Sequence, residues 1–266
     1  MREHASWDPT AYGRYAGERS RPFADLVAQV RADDPQLVVD LGCGHGPPTL
    51  TLAKLWPNAR VVGVDSSESM LESARLLDPD GRVEWVLSDL REWDPASLGQ
   101  APDVVVTNST LQWLPGHLDL LDAWVEAMSD GGWFALQVPG NFDAPSHAAV
   151  RELASSPQWL DALGDIPFRV GKVVDSAVEY AGMLTDAGCA VDTWETTYVH
   201  ELTGEHPVLD WITGTALTPV KSALAEEDWQ RFRSELIPVL AEMYPARPDG
   251  RTFFPFRRIF VVAQVN

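Results

Sequence analysis

The sequence is poor in positive charge, and in lysine above all. It contains 20 lysine and arginine residues against 39 aspartate and glutamate residues, which gives a formal net charge of −19 at pH 7. Lysine occurs only at positions 54, 172 and 221, and the other seventeen cations are arginines. Nucleic acids and anionic membrane surfaces are bound through basic patches. The composition therefore argues against both as partners.

The sequence also has little cysteine and no long apolar run. Its two cysteines, Cys43 and Cys189, lack metal-ligand spacing, so we expect no metal site and a reducing compartment. No apolar stretch approaches the roughly 18–20 residues of a membrane-spanning helix. The first ten residues, MREHASWDPT, lack the apolar centre of a signal peptide. We therefore expect a cytoplasmic protein without a membrane segment.

Predicted strands and helices alternate from Leu37 to Pro139 of the 266-residue chain. The predicted strands are LVVDL, RVVGVD, RVEWVLSD, DVVVTN and GGWFALQV. The segments between them favour helices; HLDLLDAWVEAM, for example, places its apolar residues near one helix face. Strands that alternate with helices indicate right-handed βαβ crossovers and a parallel sheet. The sequence therefore predicts an α/β fold.

The pattern changes after Pro139, where helical segments surround one long predicted strand, AVDTWETTYVHEL. The final predicted strand is RRIFVVAQV, and we expect these two strands to pair antiparallel at the edge of the sheet. The helical segments would then pack over the sheet as a cap. The predicted organisation is a single domain over 1–266, with a core over 33–139, helical insertions over 140–175 and 203–250, and an N-terminal lid over 1–32.

The stretch VVDLGCGHGPP joins the first predicted strand to the first helix through a glycine-rich turn. A P-loop needs Gly-Lys followed by Ser or Thr, whereas Gly46 is followed by two prolines. A dinucleotide fingerprint needs its third glycine where Pro47 stands. Pro47 and Pro48 also remove two amide donors from the helix N-terminus at which a phosphate binds. The turn therefore argues against a phosphate cradle.

Three aspartates end successive predicted strands. Asp40 lies two residues before the first glycine, where it would repel a phosphate and suit a ligand with an ammonium group. Asp65 can accept both hydroxyls of a ribose, and Asp89 can accept from an adenine amino group, with Leu90 against the ring. Adenine, ribose and an amino acid without phosphates together describe S-adenosylmethionine. The alternative is that each aspartate only caps the segment that follows it.

VVDLGCGHG, Asp65 and SDL resemble the first three motifs of the class I S-adenosylmethionine-dependent methyltransferases, and the resemblance covers about residues 37–139. It implies a Rossmann-like fold with a mostly parallel seven-stranded sheet, an antiparallel edge strand and a helical cap. It also implies S-adenosylmethionine as cofactor and S-adenosylhomocysteine as its product. By position, the implied cofactor-binding residues are Asp40, Gly42, Gly44, Asp65, Ser66, Met70, Asp89, Leu90 and Asn108.

Further segments resemble a narrower family, the trans-aconitate 2-methyltransferases, from about Trp7 to Ala263. These segments are WDPTAYGRYAGERSRPF, TNSTLQWLPGH, QVPGNFDAPSHAAVRE, WETTYVHELTGEHPVLDWITGTAL and FPFRRIFVVA. The resemblance implies transfer of a methyl group to one carboxylate of trans-aconitate, a small-molecule tricarboxylate. The implied product is a monomethyl ester.

This chemistry requires positioning more than a catalytic base. Carboxylic acids titrate near ~4, so the nucleophilic carboxylate is already ionised and no residue is needed as a base. The protein must align one carboxylate and clamp the other two, and arginines supply charge-assisted bidentate contacts for that task. For the aromatic candidate Trp113, packing in the core is the commoner alternative. The substrate-binding candidates are Tyr12, Arg19, Arg21, Trp113, His147, Arg169, Tyr198 and Arg258.

Several assignments in this set stay open. Arg19 or Arg21 can bind the methionyl carboxylate instead of the substrate. Arg257 and Arg258 are adjacent in an extended run, so their side chains point to opposite faces and at most one faces the site. His147 can donate to a carboxylate or make local contacts alone.

Other functions remain as alternatives to carboxyl methylation. One is a methyltransferase of this fold that acts on another small polycarboxylate, or on a nitrogen, phenol or carbon acceptor. Another is a nicotinamide-dependent oxidoreductase, which Pro47 and Pro48 disfavour. A third is a non-catalytic sensor of S-adenosylmethionine. The sequence predicts no oligomeric state.

Overall fold

The computed structural model describes residues 16–166, 168 and 172–266, with side chains from residue 20 onward. The candidates Tyr12 and Arg169 lie outside these residues, as does the side chain of Arg19. The described residues form seven strands, ten α-helices and two short 3₁₀ turns.

The strands alternate with helices in the first half of the chain and are longer near its end. The strands are β1 (Leu37–Leu41), β2 (Arg60–Asp65), β3 (Val83–Leu87), β4 (Val104–Asn108), β5 (Trp133–Pro139), β6 (Cys189–Leu202) and β7 (Thr252–Val265). The helices are α1 (Ala16–Val27), α2 (Pro47–Leu55), α3 (Glu68–Leu77), α4 (Leu118–Glu126), α5 (Pro145–Ala154), α6 (Leu160–Leu163), α7 (Ala177–Asp186), α8 (Pro207–Thr213), α9 (Thr218–Ala223) and α10 (Glu226–Met243). The 3₁₀ turns are Pro95–Leu98 and Leu111–Trp113.

The strands form one seven-stranded sheet in the order β3-β2-β1-β4-β5-β7-β6. Strands β1 to β5 pair in parallel, and β7 pairs antiparallel with β5, with Leu136 opposite Val261. The order reverses on either side of β1, because β2 lies on one side of it and β4 on the other. The predicted Rossmann-like class I fold, with its mixed seven-stranded sheet, is confirmed. In open α/β sheets, ligands bind beyond the carboxyl ends of the strands at such a switch point.

The chain divides into two compact units. The sheet unit comprises Arg19–Pro139, Val174–Thr196 and Arg258–Asn266. The helical unit comprises Gly140–Val173 and Thr197–Arg257, together with residues 16–18 of the described chain.

The sheet unit is built on strands that are buried on both faces. All five residues of β1 are buried, as are the four central residues of β2 and the first four of β4. Parallel strands covered on both faces read as continuous apolar runs, which is the pattern of LVVDL and DVVVTN. The polar residues of these runs stand at the strand ends, so the sequence places its functional groups at one edge of the sheet.

The helical unit has an aromatic core of its own. Trp159 packs edge-on against Phe232 with ring centroids 5.3 Å apart, and its indole nitrogen donates to Glu235 at 2.9 Å. Trp211 is buried between Phe254 and other rings of this core. Trp159 and Trp211 are therefore structural residues of this core.

A buried polar network joins α4 to α7 within the sheet unit. His117, which precedes α4, has its Nε2 atom 2.7 Å from the hydroxyl of Tyr180 and its Nδ1 atom 2.9 Å from the carbonyl oxygen of Leu114. The Asp175 carboxylate lies 3.6 Å from the same Nε2 atom. Burial raises the pKa of Tyr180 well above its usual range, so its hydroxyl stays protonated. Buried polar atoms are costly when they lose their partners.

Replacing Tyr180 by phenylalanine tests this network. Tyr180→Phe keeps the ring but removes the hydroxyl that bonds His117, so the free energy of unfolding should fall by about 1–3 kcal/mol. Urea denaturation measures this change. Val178→Ala, at a position of the same helix that is 79% exposed, should alter stability by no more than about 0.5 kcal/mol. Equal stabilities of Tyr180→Phe and the parent protein would contradict the account.

Candidate active site

The glycine turn after β1 is fastened to the end of β2. The amide of Gly42 donates to the carbonyl oxygen of Val64 at 2.8 Å, and the amide of Gly44 donates to Asp65 Oδ2 at 2.9 Å. Gly42 and Gly44 have φ values of 80° and 55°, which residues other than glycine rarely adopt. A Cβ added at Gly44 would meet nothing within 4 Å. The backbone at Gly44 therefore faces open space in which a ligand can approach it.

The indole ring of Trp85, in β3, leaves no space for a side chain at two other positions, both of which are glycines. A Cβ at Gly46 or at Gly63 would lie 2.8 Å from the indole ring of Trp85. The indole nitrogen donates to the buried carboxylate of Asp78 at 3.2 Å, which fixes the ring. Gly46 and Gly63 are therefore required by packing between the turn and the sheet. Trp85 was missed in the sequence analysis, because its role depends on strand pairing that the sequence does not display.

Asp65, which ends β2, and Asp89, which lies two residues after β3, both cap the segments that follow them. Asp65 Oδ1 accepts from the amide of Ser67 at 2.9 Å, while its Oδ2 holds Gly44. Asp89 accepts from the amide of Arg91 at 3.0 Å and is paired with the Arg91 guanidinium. Both aspartates therefore make the capping hydrogen bonds that the alternative interpretation expected. It does not exclude a ligand, because each carboxylate oxygen can accept a second hydrogen bond.

Asp40 is a buried carboxyl beneath the glycine turn. It is 2% exposed, and its Oδ2 accepts from the Thr49 hydroxyl at 2.6 Å. Burial raises the pKa of Asp40 to about 7, against the lowering effect of the Thr49 hydrogen bond. Pro47 and Pro48 occupy the first two positions of α2, so this helix start lacks two amide donors. The environment therefore suits a nearby cation and not a phosphate.

The turn after β4 packs directly on the glycine turn. The Thr110 hydroxyl donates to the carbonyl oxygens of Gly42 and Asn108, both at 3.3 Å. A Cβ at Gly42 would lie 2.2 Å from the Thr110 side chain. Asn108 Oδ1 is buried with no hydrogen-bond partner among the described residues. The turns that follow β1 and β4 are thus in contact, and beside them the buried Asn108 Oδ1 atom receives no hydrogen bond from the described residues.

Arg258 of β7 reaches the same edge of the sheet. Its Nη1 atom donates to the Ser109 hydroxyl at 2.9 Å and to Gln137 Oε1 at 3.3 Å. Arg258 is buried, whereas the neighbouring Arg257 is exposed and donates to the carbonyl oxygen of Gly140 at 3.2 Å. The prediction that the two arginines point to opposite faces is confirmed. Arg258 is the one whose guanidinium is held inside the sheet unit.

The remaining candidates of the sheet unit differ in exposure. Arg21 lies on α1, 3.7 Å from Asp25, and its side chain is 72% exposed. Trp113 is 49% exposed, so the core-packing alternative is wrong for this residue. Leu90 is buried within the main core, which leaves little of its side chain for an adenine ring to cover. Ser66 is exposed and Met70 is half-buried at the start of α3.

Two candidates lie in the helical unit. His147 stands in the first turn of α5, where its Nδ1 atom is 3.4 Å from the Ser146 hydroxyl and its ring meets Phe142 edge-on. Tyr198 of β6 is buried and stacks at 6.5 Å on His200. Local contacts are therefore present at His147, as the alternative reading expected, and they do not exclude a ligand.

Four polar residues of the site were missed in the sequence analysis: Thr49, Ser109, Thr110 and Gln137. A signal for one of them existed, since Gln137 interrupts the apolar strand WFALQV and is 1% exposed. Ser109 carried no local signal, because its φ of 57° depends on contacts made by distant residues.

The comparisons with known proteins first define the class. A family model described as "Methyltransferase domain" matches residues 38–132. The solved structure of the YcgJ protein from Bacillus subtilis aligns with a TM-score of 0.60 at 12% identity and covers 92% of this chain and 98% of that one. The plantazolicin methyltransferase BpumL, solved with a triazolic desmethylPZN analogue and SAH, aligns with a TM-score of 0.52 at 14% identity, covering 97% and 92%. The fold is that of the class I methyltransferases.

Curated relatives define the particular family. Trans-aconitate 2-methyltransferase of Mycobacterium sp. strain KMS is 57% identical over 260 residues, covering 98% of this chain and 100% of that protein. The protein of the same name from Rhodococcus jostii strain RHA1 is 56% identical over the same coverage. The chain belongs to the trans-aconitate 2-methyltransferase family.

None of the helices in the described parts of the chain combines the length and apolar character needed to cross a bilayer. Those same parts contain no group of three His, Cys, Asp or Glu side chains arranged to hold a metal ion.

The raised pKa of Asp40 makes a prediction about pH. Since ionisation of Asp40 is disfavoured in the folded state, the stability of the parent protein without cofactor should fall as pH rises from about 4 to about 7. Asp40→Asn removes this dependence, so the variant should gain about 2–3 kcal/mol relative to the parent between pH 5 and pH 8. Urea unfolding at each pH measures the difference. Asp80→Asn, at an exposed position, is the control, and a difference that stays constant with pH would refute the assignment.

A matched pair of glycine substitutions tests the Trp85 contact. Gly46 and Gly81 both have positive φ values, 97° and 62°, but only Gly46 faces the indole ring. Both substitutions to alanine introduce backbone strain, whereas Gly46→Ala also overpacks the site. Thermal or urea unfolding should therefore show Gly46→Ala to be the less stable variant by about 1–3 kcal/mol. Equal losses of unfolding free energy in the two variants would show that the Trp85 ring does not restrict the residue at position 46.

Proposed function

We propose that the protein transfers a methyl group from S-adenosylmethionine to one carboxylate of trans-aconitate and so forms a monomethyl ester. The observation that carries this proposal is a buried guanidinium, Arg258, at the sheet edge that also holds the glycine turn. Binding of an anionic acceptor requires such a cation, whereas binding of an uncharged acceptor does not. The names of the relatives, which share more than half of their residues with this chain, point to the same acceptor.

The residues at the glycine turn fit S-adenosylmethionine. Asp65 is held at the end of β2 with acceptor capacity for ribose hydroxyls, and Gly44 leaves its backbone open to a ligand. Asp40 offers negative charge beneath the turn, and Asn108 offers a buried acceptor. S-adenosylmethionine, when bound, supplies an electrophilic methyl group and leaves as S-adenosylhomocysteine. Ser66, Met70, Asp89 and Leu90 complete the proposed cofactor site, with Leu90 contributing mainly as part of the wall.

The protein's task toward the acceptor is positioning. The acceptor carboxylate is already ionised near neutral pH, so no residue has to remove a proton. Arg258 would hold a carboxylate by charge-assisted hydrogen bonds, which are strong where water is excluded. A chain with a net charge of −19 repels a trianion at long range, so a local cation is required to bind one.

The other proposed substrate contacts come from separate parts of the chain. His147 and Tyr198 belong to the helical unit, which we propose acts as the substrate cap together with the predicted insertions 140–175 and 203–250. Arg21 is proposed as part of the N-terminal lid over 1–32, with Trp113 as an exposed pocket wall. Tyr12, Arg19 and Arg169 stay predictions, because they fall outside the described side chains. We also propose a cytoplasmic location, consistent with two free cysteines and no disulfide among the described residues.

Labelled methyl transfer from S-adenosylmethionine to a panel of acids tests the proposal. The panel contains trans-aconitate, cis-aconitate, citrate, isocitrate and short dicarboxylates. Trans-aconitate should give the highest kcat/KM, and the labelled product should be released by mild alkali because it is a methyl ester. Phenols and amines, whose methylated products resist alkali, serve as controls.

Other outcomes of this assay identify the alternatives. Highest activity on another polycarboxylate would keep the reaction and change the acceptor. Alkali-stable product would indicate a nitrogen, phenol or carbon acceptor. Binding of S-adenosylmethionine without transfer to any acceptor would indicate a sensor and end the proposal.

A further inference from the structure

Ser109 has an unusual backbone conformation at the site. Its φ is 57°, and among the described residues the other non-glycine residue with positive φ is Asp34, at 51°. Such a conformation costs free energy and persists where surrounding contacts impose it, which is common at functional sites. Glycine would adopt this φ at a lower cost, so the contacts of the serine hydroxyl need to be considered.

Hydrogen bonds from three residues hold Ser109 in this conformation. Its amide donates to the carbonyl oxygen of Gln137 at 2.8 Å, and its own carbonyl oxygen accepts from Gln112 Nε2 at 2.5 Å. Its hydroxyl donates to Gln137 Oε1 at 3.1 Å and accepts from Arg258 Nη1 at 2.9 Å. The strained backbone thus carries the hydroxyl to the guanidinium.

Gln137 completes the support from the neighbouring strand. Its Oε1 atom accepts from both Ser109 and Arg258, and the residue is almost fully buried in β5. Arg258 Nη1 thus donates to two oxygens that are held on neighbouring strands, and these contacts orient the guanidinium. An arginine has several rotatable bonds and otherwise loses much conformational entropy when it binds a ligand.

We propose that Ser109 and Gln137 are positioning residues that pre-orient the Arg258 guanidinium for the acceptor carboxylate. This inference rests on the proposed function, since it assigns a role to Arg258 in acceptor binding. It goes beyond that function by explaining why a strained serine follows β4. Neither residue has to touch the substrate for the effect to occur.

Ser109→Gly separates positioning from folding. Glycine adopts a φ of 57° without strain, so the melting temperature should stay within roughly 3 °C of the parent value. The hydroxyl is lost, so kcat/KM for trans-aconitate should fall about tenfold, chiefly through a higher KM. The dissociation constant of S-adenosylmethionine should change less than about twofold, because the cofactor is held elsewhere. Asp34→Gly, which relaxes the other positive φ far from these contacts, should leave both constants unchanged.

A double-mutant cycle with Arg258→Ala tests whether Ser109 acts through the guanidinium. If it does, Ser109→Gly should add little to the defect of Arg258→Ala, since nothing remains to be oriented. Full additivity of the two defects, or an unchanged KM in Ser109→Gly, would overturn the inference. Gln137→Met should reproduce the KM effect of Ser109→Gly, and cofactor titration by calorimetry provides a folding control for that buried position.

The same measurements distinguish this inference from the proposed function. If the parent protein methylates no polycarboxylate, the proposed function fails and the role of Ser109 fails with it. If the parent protein methylates trans-aconitate while Ser109→Gly is indistinguishable from it, the proposed function stands and the positioning role is refuted.

Discussion

The turn after β4 lies so close to the backbone of the turn after β1 that no side chain fits between them. Thr110, after β4, occupies the space in which any Cβ at Gly42 would stand. This approach ties the carboxyl ends of β1 and β4 together at the point where the strand order reverses. In the proposed site, the turn after β1 would hold the cofactor and the turn after β4 would lie on the acceptor side. Their direct contact would then set the distance between the two ligands.

Two kinds of constraint maintain this arrangement, and they have different energetic origins. Trp85 limits Gly46 and Gly63 by excluded volume, and the cost of violating it is overpacking of a dense interior. Ser109 is limited by hydrogen bonds that outweigh an unfavourable backbone conformation. The first constraint serves the shape of the turn. In our proposal, the second constraint orients the guanidinium of Arg258 at the cost of a strained backbone at Ser109.

Sequence patterns predicted the parts of the site that are encoded locally. The glycine spacing, the aspartates that end β1 and β2, and the alternation of Arg257 and Arg258 all follow from periodicity within one segment, and the structure places them accordingly. Contacts between distant segments escaped prediction, as with the Thr49 hydroxyl on Asp40, since such pairs leave no local pattern. The core expectation for Trp113 was wrong because burial depends on the loop after β4, which the pattern of apolar residues does not determine.

Asp40 and Arg258 are buried groups of opposite charge type in the sheet unit, and they suit opposite ends of the proposed reaction. Asp40 lies beneath the glycine turn, where a cationic cofactor would compensate for its desolvation. Arg258 lies beside the turn after β4, where it can donate to an anionic acceptor. Ionisation of the buried Asp40 is disfavoured, so part of the binding energy of a cationic cofactor would come from relieving that cost. Methyl transfer from a sulfonium to a carboxylate then removes one positive and one negative charge from the ligands. Each product carries one charge fewer than the ligand from which it forms, so the overall electrostatic attraction between the site and its ligands would fall after transfer and favour release of the products.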